Sequence, residues 1–188
     1  MQAASQFINK TLINHEPTAD IARHRGHNPA MAFRALELPP DISGRLWLQS
    51  MPGRVEPWGA FLDEARLRQL SLVSCLNPLD EVAQLSPLYH KAVSEGRLPF
   101  RWQHLPMRDF GLGANPEAFR QGVETLNHSL RVGDRVLLHC AAGIGRTGTV
   151  AACVLKGLGL EVEDALQRVR EAGSNPQSAV QSGWVEQF

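Results

Sequence analysis

The stretch that most constrains this 188-residue chain runs from Asp134 to Leu158. Asp134-Arg135-Val136-Leu137-Leu138 is a short apolar run with a polar start, the pattern of a buried strand. Thr147 to Leu158 carries Ala, Val, Leu and Cys at helical spacing. Between them lies His139-Cys140-Ala141-Ala142-Gly143-Ile144-Gly145-Arg146, a tight glycine-bearing loop. A buried strand that feeds directly into a buried helix predicts an α/β sheet with this loop at a strand's carboxyl end, where such folds bind ligands.

The loop has the makings of an anion site. Glycines let successive backbone N–H groups turn inward and line a bowl. That bowl opens at a helix N-terminus, where unpaired N–H groups and the positive end of the dipole favour an oxyanion. Ala141, Ala142, Gly143, Ile144 and Gly145 would supply the amides, and Arg146 a planar fork matched to two oxygens of a phosphate. The same field favours an ionised Cys140, and a thiolate beside a bound phosphoryl group is a nucleophile.

With Cys140 and Arg146 separated by five residues, His139 before and Thr147 after, the loop resembles the Cys-x5-Arg-Ser/Thr signature of cysteine-dependent protein phosphatases. The diffuse similarity from Gly44 to Phe188 resembles the dual-specificity and kinase-associated branch of the protein tyrosine phosphatase superfamily. The resemblance implies a phosphocysteine intermediate and no metal or other cofactor. It implies that Arg146 and the loop amides hold the phosphate, that His139 orients the cysteine, and that Thr147 eases departure of the thiolate.

The rest of the chain fits a single α/β domain with a mostly parallel sheet of four to five strands and helices on both faces. Strands are expected at Arg45–Ser50, Leu72–Leu76 and Phe100–Leu105, besides the one before Cys140. Helices are expected at Trp58–Leu70, at Asp80–Leu85 and Leu88–Glu95 around Pro87, and at Pro116–Leu130, Thr147–Leu158 and Glu161–Ala172. In Trp58–Leu70 the apolar face reads Phe61, Leu62, Ala65, Leu67 and Leu70. The catalytic domain is drawn over residues 41–188. Residues 1–40 read as an N-terminal arm, partly disordered or laid over the domain. Its His15, His24 and His27 fit no common metal-ligand spacing and read as solvated.

Composition narrows the function classes. With 19 basic and 19 acidic residues, no net charge advertises nucleic acid or an anionic membrane. Three cysteines, an odd number, argue for a reducing, cytoplasmic setting, with export as an effector left open. No run is long enough to span a membrane. The oligomeric state is not legible.

Hydrolysis of a phosphate ester needs an acid for the leaving oxygen. Asp109, 31 residues before Cys140 in the turn-rich segment Pro106–Pro116, matches the family's general-acid aspartate in position and in its Phe-Gly flank. Gln177 and Gln181 resemble the glutamine loop that orients water, with a plain polar turn as the alternative. The resemblance also suggests Cys75 as a redox partner that captures oxidised Cys140 in a disulfide, against a plain buried cysteine. Cys153 reads as a small core residue.

These readings predict a phosphoprotein phosphatase acting on phosphotyrosine and on phosphoserine or phosphothreonine, with a phosphorylated protein or small phosphate ester as partner. An inositol phosphate or phosphoinositide phosphatase is the alternative; the uncharged inner residues of the loop favour the phosphoprotein. A phospho-binding module without turnover is the further alternative, and a sulfur transferase fits Asp109 and Thr147 less well.

Overall fold

A computed structural model describes residues 33–108 and 115–188. Its sheet has five strands: β1 (Arg34–Leu36), β2 (Arg45–Ser50), β3 (Leu72–Cys75), β4 (Arg101–His104) and β5 (Arg135–Cys140), in the order β1-β2-β5-β3-β4. Only the β1–β2 pairing is antiparallel; β5 lies between β2 and β3, parallel to both. Being buried on both faces, β5 has the continuous apolar run such a strand requires.

The helices divide between the two faces. On one side α1 (Trp58–Leu67), α2 (Leu79–Leu85) and α3 (Pro87–Ser94) cover Leu137, Val73 and Cys75. On the other, α4 (Pro116–Arg131), α5 (Gly145–Gly157), α6 (Val162–Glu171) and α7 (Ala179–Gln187) enclose the larger core with Val136, Leu138 and Cys140. The expected α/β fold, with helices on both faces and the cysteine loop between a strand and a helix, is the observed one. Among the described residues no helix is long and apolar enough to cross a membrane.

Several boundaries differ from the sequence reading for local reasons. Although the domain was drawn from residue 41, the sheet takes in Arg34–Leu36, whose three-residue run is too short to show periodicity. The first 32 residues, with His15, His24 and His27, lie outside the described residues. Helix α1 stops at Leu67 rather than Leu70 because Gln69 takes a left-handed conformation, φ 55°. Leu67 is accordingly 75% exposed and not part of the buried face, whereas Leu70, beyond the turn, is buried.

Asn115 caps α4, its side-chain oxygen accepting from the amides of Glu117 and Ala118 at 3.0 and 3.2 Å. Helix α5 begins two residues before the expected start, at Gly145, which places Arg146 in its first turn. The final apolar segment forms α7, capped by Ser178, whose hydroxyl accepts from the Gln181 amide at 3.1 Å.

Candidate active site

Cys140 is the last residue of the central strand, and the loop that follows is held from outside by its carbonyls. Ala141 O accepts from the Met51 amide at 3.2 Å and from Nη1 of Arg54 at 2.8 Å. Gly143 O accepts from Ser174 Oγ at 2.7 Å and from Nη2 of Arg34. Ile144 O accepts from the amides of Gly148, at 2.7 Å, and Asn175, at 3.4 Å. In a planar trans peptide the next residue's N–H points opposite its carbonyl. Turning these carbonyls outward therefore turns the amides of Ala142, Ile144 and Gly145 inward, as an anion bowl requires.

Gly143 makes the curvature. Its φ is +72°, and a Cβ there would stand 2.4 Å from the backbone carbonyl of Gln49. Only glycine satisfies both the left-handed backbone and the close approach to β2. Its amide donates to Cys140 Sγ at 3.2 Å, so the sulfur lies within the loop and is already solvated by one backbone N–H. Cys140 is 3% exposed. The first turn of α5 contains no acidic residue, so the positive end of the helix is not neutralised by its own sequence.

Arg146 reaches across the end of the sheet. Its Nη1 and Nη2 donate to the two oxygens of Glu81 in α2 at 2.7 and 2.8 Å, and Nη1 also approaches Met107 O at 3.3 Å. The bidentate hydrogen bonds from Arg146 hold the Glu81 carboxyl below the usual carboxylate range. Arg146 thus arrives pre-oriented, and Glu81 is a site residue that sequence reading missed. The two lie 65 residues apart, with no local pattern to link them.

His139 points to the opposite face from Cys140. It is fully buried, and its Nε2 stands 2.9 Å from the Tyr89 hydroxyl, which accepts from the Trp102 indole N–H at 2.8 Å. Burial, with some help from the charge of Arg146, lowers the imidazole pKa to about 3, so the ring is neutral near pH 7. Burial also raises the Tyr89 phenol well above its ordinary value. A neutral histidine braced by tyrosine underlies the cysteine backbone.

Thr147 is fully buried, and its hydroxyl has no hydrogen-bond partner among the described residues. Gln177 and Gln181 separate in role. Gln181 is buried, and its Oε1 accepts from the Gln177 amide at 2.8 Å, anchoring the turn. It is Gln177 whose side chain reaches the loop, its Oε1 lying 2.6 Å from where a Cβ on Gly145 would sit. Of the two glutamines read as a possible water-orienting pair, Gln177 is the one that approaches the phosphate loop.

Cys75 pairs in register with His139 and packs with Tyr89 and Val82, on the face away from Cys140. All three cysteines are free thiols. Burial pushes the Cys75 thiol up to about 12, leaving almost no thiolate near pH 7 to attack an oxidised Cys140. Projection from different faces would also demand a backbone rearrangement before a disulfide could close. Of the two readings of Cys75, redox partner and plain buried cysteine, its burial and its facing favour the second. Cys153 is likewise buried, its thiol pushed up to about 12. Asp109 lies outside the described residues; the anchored residue before it is Met107, whose amide donates to Leu76 O at 2.9 Å.

The chain is similar to several known proteins. A family profile described as a DSP-PTPase phosphatase of polymorphic toxin systems matches residues 76–159, which include the loop and α5. The chain is 30% identical over 105 residues to protein 067L of Invertebrate iridescent virus 3, which carries a tyrosine phosphatase name. That match covers 54% of this chain but spans only 41% of the viral protein. The fold is similar to that of a kinase-associated phosphatase crystallised with its catalytic-site cysteine changed to serine. There the TM-score is 0.73 at 20% identity, over 86% of this chain and 96% of the other. It is also similar to the active form of Tk-PTP, with a TM-score of 0.60 at 27% identity, over 79% and 95% of the two chains.

Proposed function

We propose that this chain, a member of the dual-specificity branch of the cysteine-dependent protein tyrosine phosphatases, hydrolyses phosphate monoesters on proteins through a phosphocysteine. The observation that carries the reading is the outward anchoring of the loop carbonyls around a sulfur that accepts from Gly143 N–H. A dianionic phosphoryl group fits a bowl of amides closed by Arg146.

In the first step Cys140 Sγ attacks phosphorus. The S–P bond forms as the ester P–O bond breaks, and the leaving oxygen takes its proton from Asp109. Inward amides and Arg146 hold the non-bridging oxygens throughout, at no cost of reorganisation because Glu81 has already fixed the guanidinium. In the second step water attacks the phosphocysteine, giving its proton to Asp109 and releasing inorganic phosphate and the Cys140 thiolate. Gln177, lying against Gly145, orients that water. The buried Thr147 hydroxyl is the remaining donor for the departing sulfur.

Phosphotyrosine is the primary substrate in this reading, with phosphoserine and phosphothreonine secondary; the tyrosine phosphatase name of the viral relative supports that order. The profile's polymorphic toxin description supports a second setting, an effector acting inside another cell. Either setting keeps Cys140 reduced.

Asp109→Ala provides the test. Its rate should fall by about 10²-fold or more on alkyl phosphates and much less on a nitrophenyl phosphate, whose leaving group needs no proton. Rapid quench followed by mass spectrometry should find phosphate on the Cys140 peptide of this variant. Equal rates for both proteins on alkyl phosphates, or an unmodified cysteine during turnover, would refute the mechanism.

A further inference from the structure

The connection between β2 and α1 holds a buried carboxyl that lies outside the reacting groups. Glu56 is 5% exposed, and Gln49, the next-to-last residue of β2, is 1% exposed. Gln49 Nε2 donates to Glu56 Oε1 at 3.0 Å, and the Gly53 amide donates to the same oxygen at 3.3 Å. The other oxygen of each group, Glu56 Oε2 and Gln49 Oε1, is buried without a hydrogen-bond partner among the described residues. Nor does any basic side chain among them form an ion pair with Glu56.

An ionised Glu56 would bury a charge with no counter-ion and strand both acceptors, each at a cost in free energy. One proton on Oε2 removes all of these costs together. It cancels the charge, gives Oε2 a hydrogen to donate, and gives Gln49 Oε1 a hydrogen to accept. A carboxylic acid and a carboxamide already joined by one N–H···O bond close a two-bond ring in this way. Burial raises the Glu56 carboxyl above its ordinary value, the direction that keeps the proton.

The turn that Glu56 braces is the one that grips the phosphate loop. The Arg54 amide donates to Met51 O at 3.1 Å with Gly53 at φ +74°, the pattern of a type II turn over residues 51–54. Ser86 Oγ holds its back by donating to Pro52 O at 2.8 Å. Ala141 O takes a hydrogen bond from each end of this turn, the Met51 amide at 3.2 Å and Arg54 Nη1 at 2.8 Å. The Ala142 N–H of the same peptide is thereby aimed into the bowl.

We propose that Glu56 is kept as a neutral carboxylic acid whose hydroxyl donates to Gln49 Oε1, and that this acid–amide ring positions the phosphate loop by holding the turn that grips Ala141. The positioning role rests on the phosphatase reading above. Glu56 contacts no reacting atom; it keeps one amide of the bowl aimed before phosphate arrives, so that no reorganisation is left for the transition state. Difference infrared spectroscopy of the full chain at pH 7, wild type against Glu56→Gln, tests the proton directly. The carbonyl band of a protonated carboxyl should appear for wild type alone.

Kinetics on nitrophenyl phosphate test the positioning. Glu56→Gln, whose amide donates and accepts in place of the acid, should keep kcat within about two-fold of wild type. Glu56→Ala should lower kcat about ten-fold with KM changed much less, as expected when a transition-state donor loses its aim. Arg54→Ala should cost a similar factor, and the double variant no more than about two-fold beyond the worse single one, because both act through one carbonyl. If Glu56→Ala does not fold, Glu56→Met, which fills the volume without the hydrogen bonds, takes its place.

An absent infrared band, or a Glu56→Gln protein as impaired as Glu56→Ala, would mean a charged carboxylate and overturn the proposal. So would wild-type kcat in Glu56→Ala, or losses that multiply in the double variant. In each of these cases the wild type still turns over nitrophenyl phosphate, and the phosphatase reading stands. A wild type without turnover would bring down that reading and the positioning role with it.

Discussion

On one face of β5, Val136, Leu138 and Cys140 lie among the aliphatic side chains of α4–α7. On the other, one residue out of phase, His139 meets Tyr89, itself bonded to Trp102. The first face supplies position: shape-complementary apolar packing fixes where the sulfur sits. The second supplies electrostatics through a neutral, hydrogen-bonded ring. Arg146 is where they join, since it belongs to α5 and is held by Glu81 of α2. The contrast teaches that the nucleophile's placement and its surroundings are set by different layers of the fold, and substitutions should separate them.

The most severe break is Cys140→Ser, which removes the reacting atom while sparing both faces. Turnover of nitrophenyl phosphate should fall by at least about 10³-fold with an unchanged urea midpoint. Vanadate or phosphate, measured by calorimetry, should still bind, because the amides do not depend on the sulfur. A variant that loses both binding and turnover would mean the cysteine shapes the bowl as well as reacting in it.

Gly143→Ala attacks position alone. The added Cβ meets the Gln49 carbonyl at 2.4 Å and the Ser50 amide at 2.6 Å, in a residue at φ +72°. Relief requires moving the loop off β2, so the urea midpoint should report a loss of about 2–4 kcal/mol. Wild-type stability would show that the curvature is carried elsewhere.

Glu81→Gln loosens the join. The carboxamide cannot reproduce two charged hydrogen bonds, so Arg146 should lose its preset orientation and kcat/KM should drop about 10- to 100-fold, with stability little changed because Glu81 is partly exposed. An unaltered kcat/KM would reduce the pair to a surface ornament.

Tyr89→Phe addresses the polar face and should have the smallest effect, about 1–3 kcal/mol of stability from the stranded His139 and Trp102 nitrogens. The pH dependence sharpens the same point. His139 in the folded protein titrates near 3 against 6.5 for a free imidazole, so between these values the unfolded chain binds the proton and the folded one does not. Its contribution to stability is complete above pH 6.5 and is lost progressively as pH falls toward 3. Urea midpoints taken at pH 7.5, 5.5 and 4.5 should decline accordingly, and His139→Gln should flatten that decline.

Much of this was legible in sequence because its signals are local. The loop compresses strand end, nucleophile, glycines, arginine and helix start into one stretch, and Asn115-Pro116 announces α4 by its own side chain. What escaped depends on contacts distant in the chain. Glu81 looks like any acidic residue in the first turn of a helix until Arg146 is seen to reach it. Arg34 sits in a three-residue strand within a segment that reads as an arm. Gln177 and Gln181 are indistinguishable by type and differ only in which way the turn points them. Cys75 belongs with them: adjacency of its strand to β5 is readable from order, but a one-residue register offset decides which face it occupies.

The anchoring of Gly143 O by both Arg34 and Ser174 has a consequence for biosynthesis. Its two clasps lie 109 residues behind and 31 ahead of it. While a nascent chain is still emerging, the cysteine, its arginine and the earlier anchors at Arg34, Met51 and Arg54 exist, yet the ring of amides lacks its Ser174 clasp until that segment has left the ribosome and docked. Enzymatic competence should therefore switch on abruptly once the segment around Ser174 has docked, and a partly synthesised domain should carry an exposed thiol without its phosphate grip.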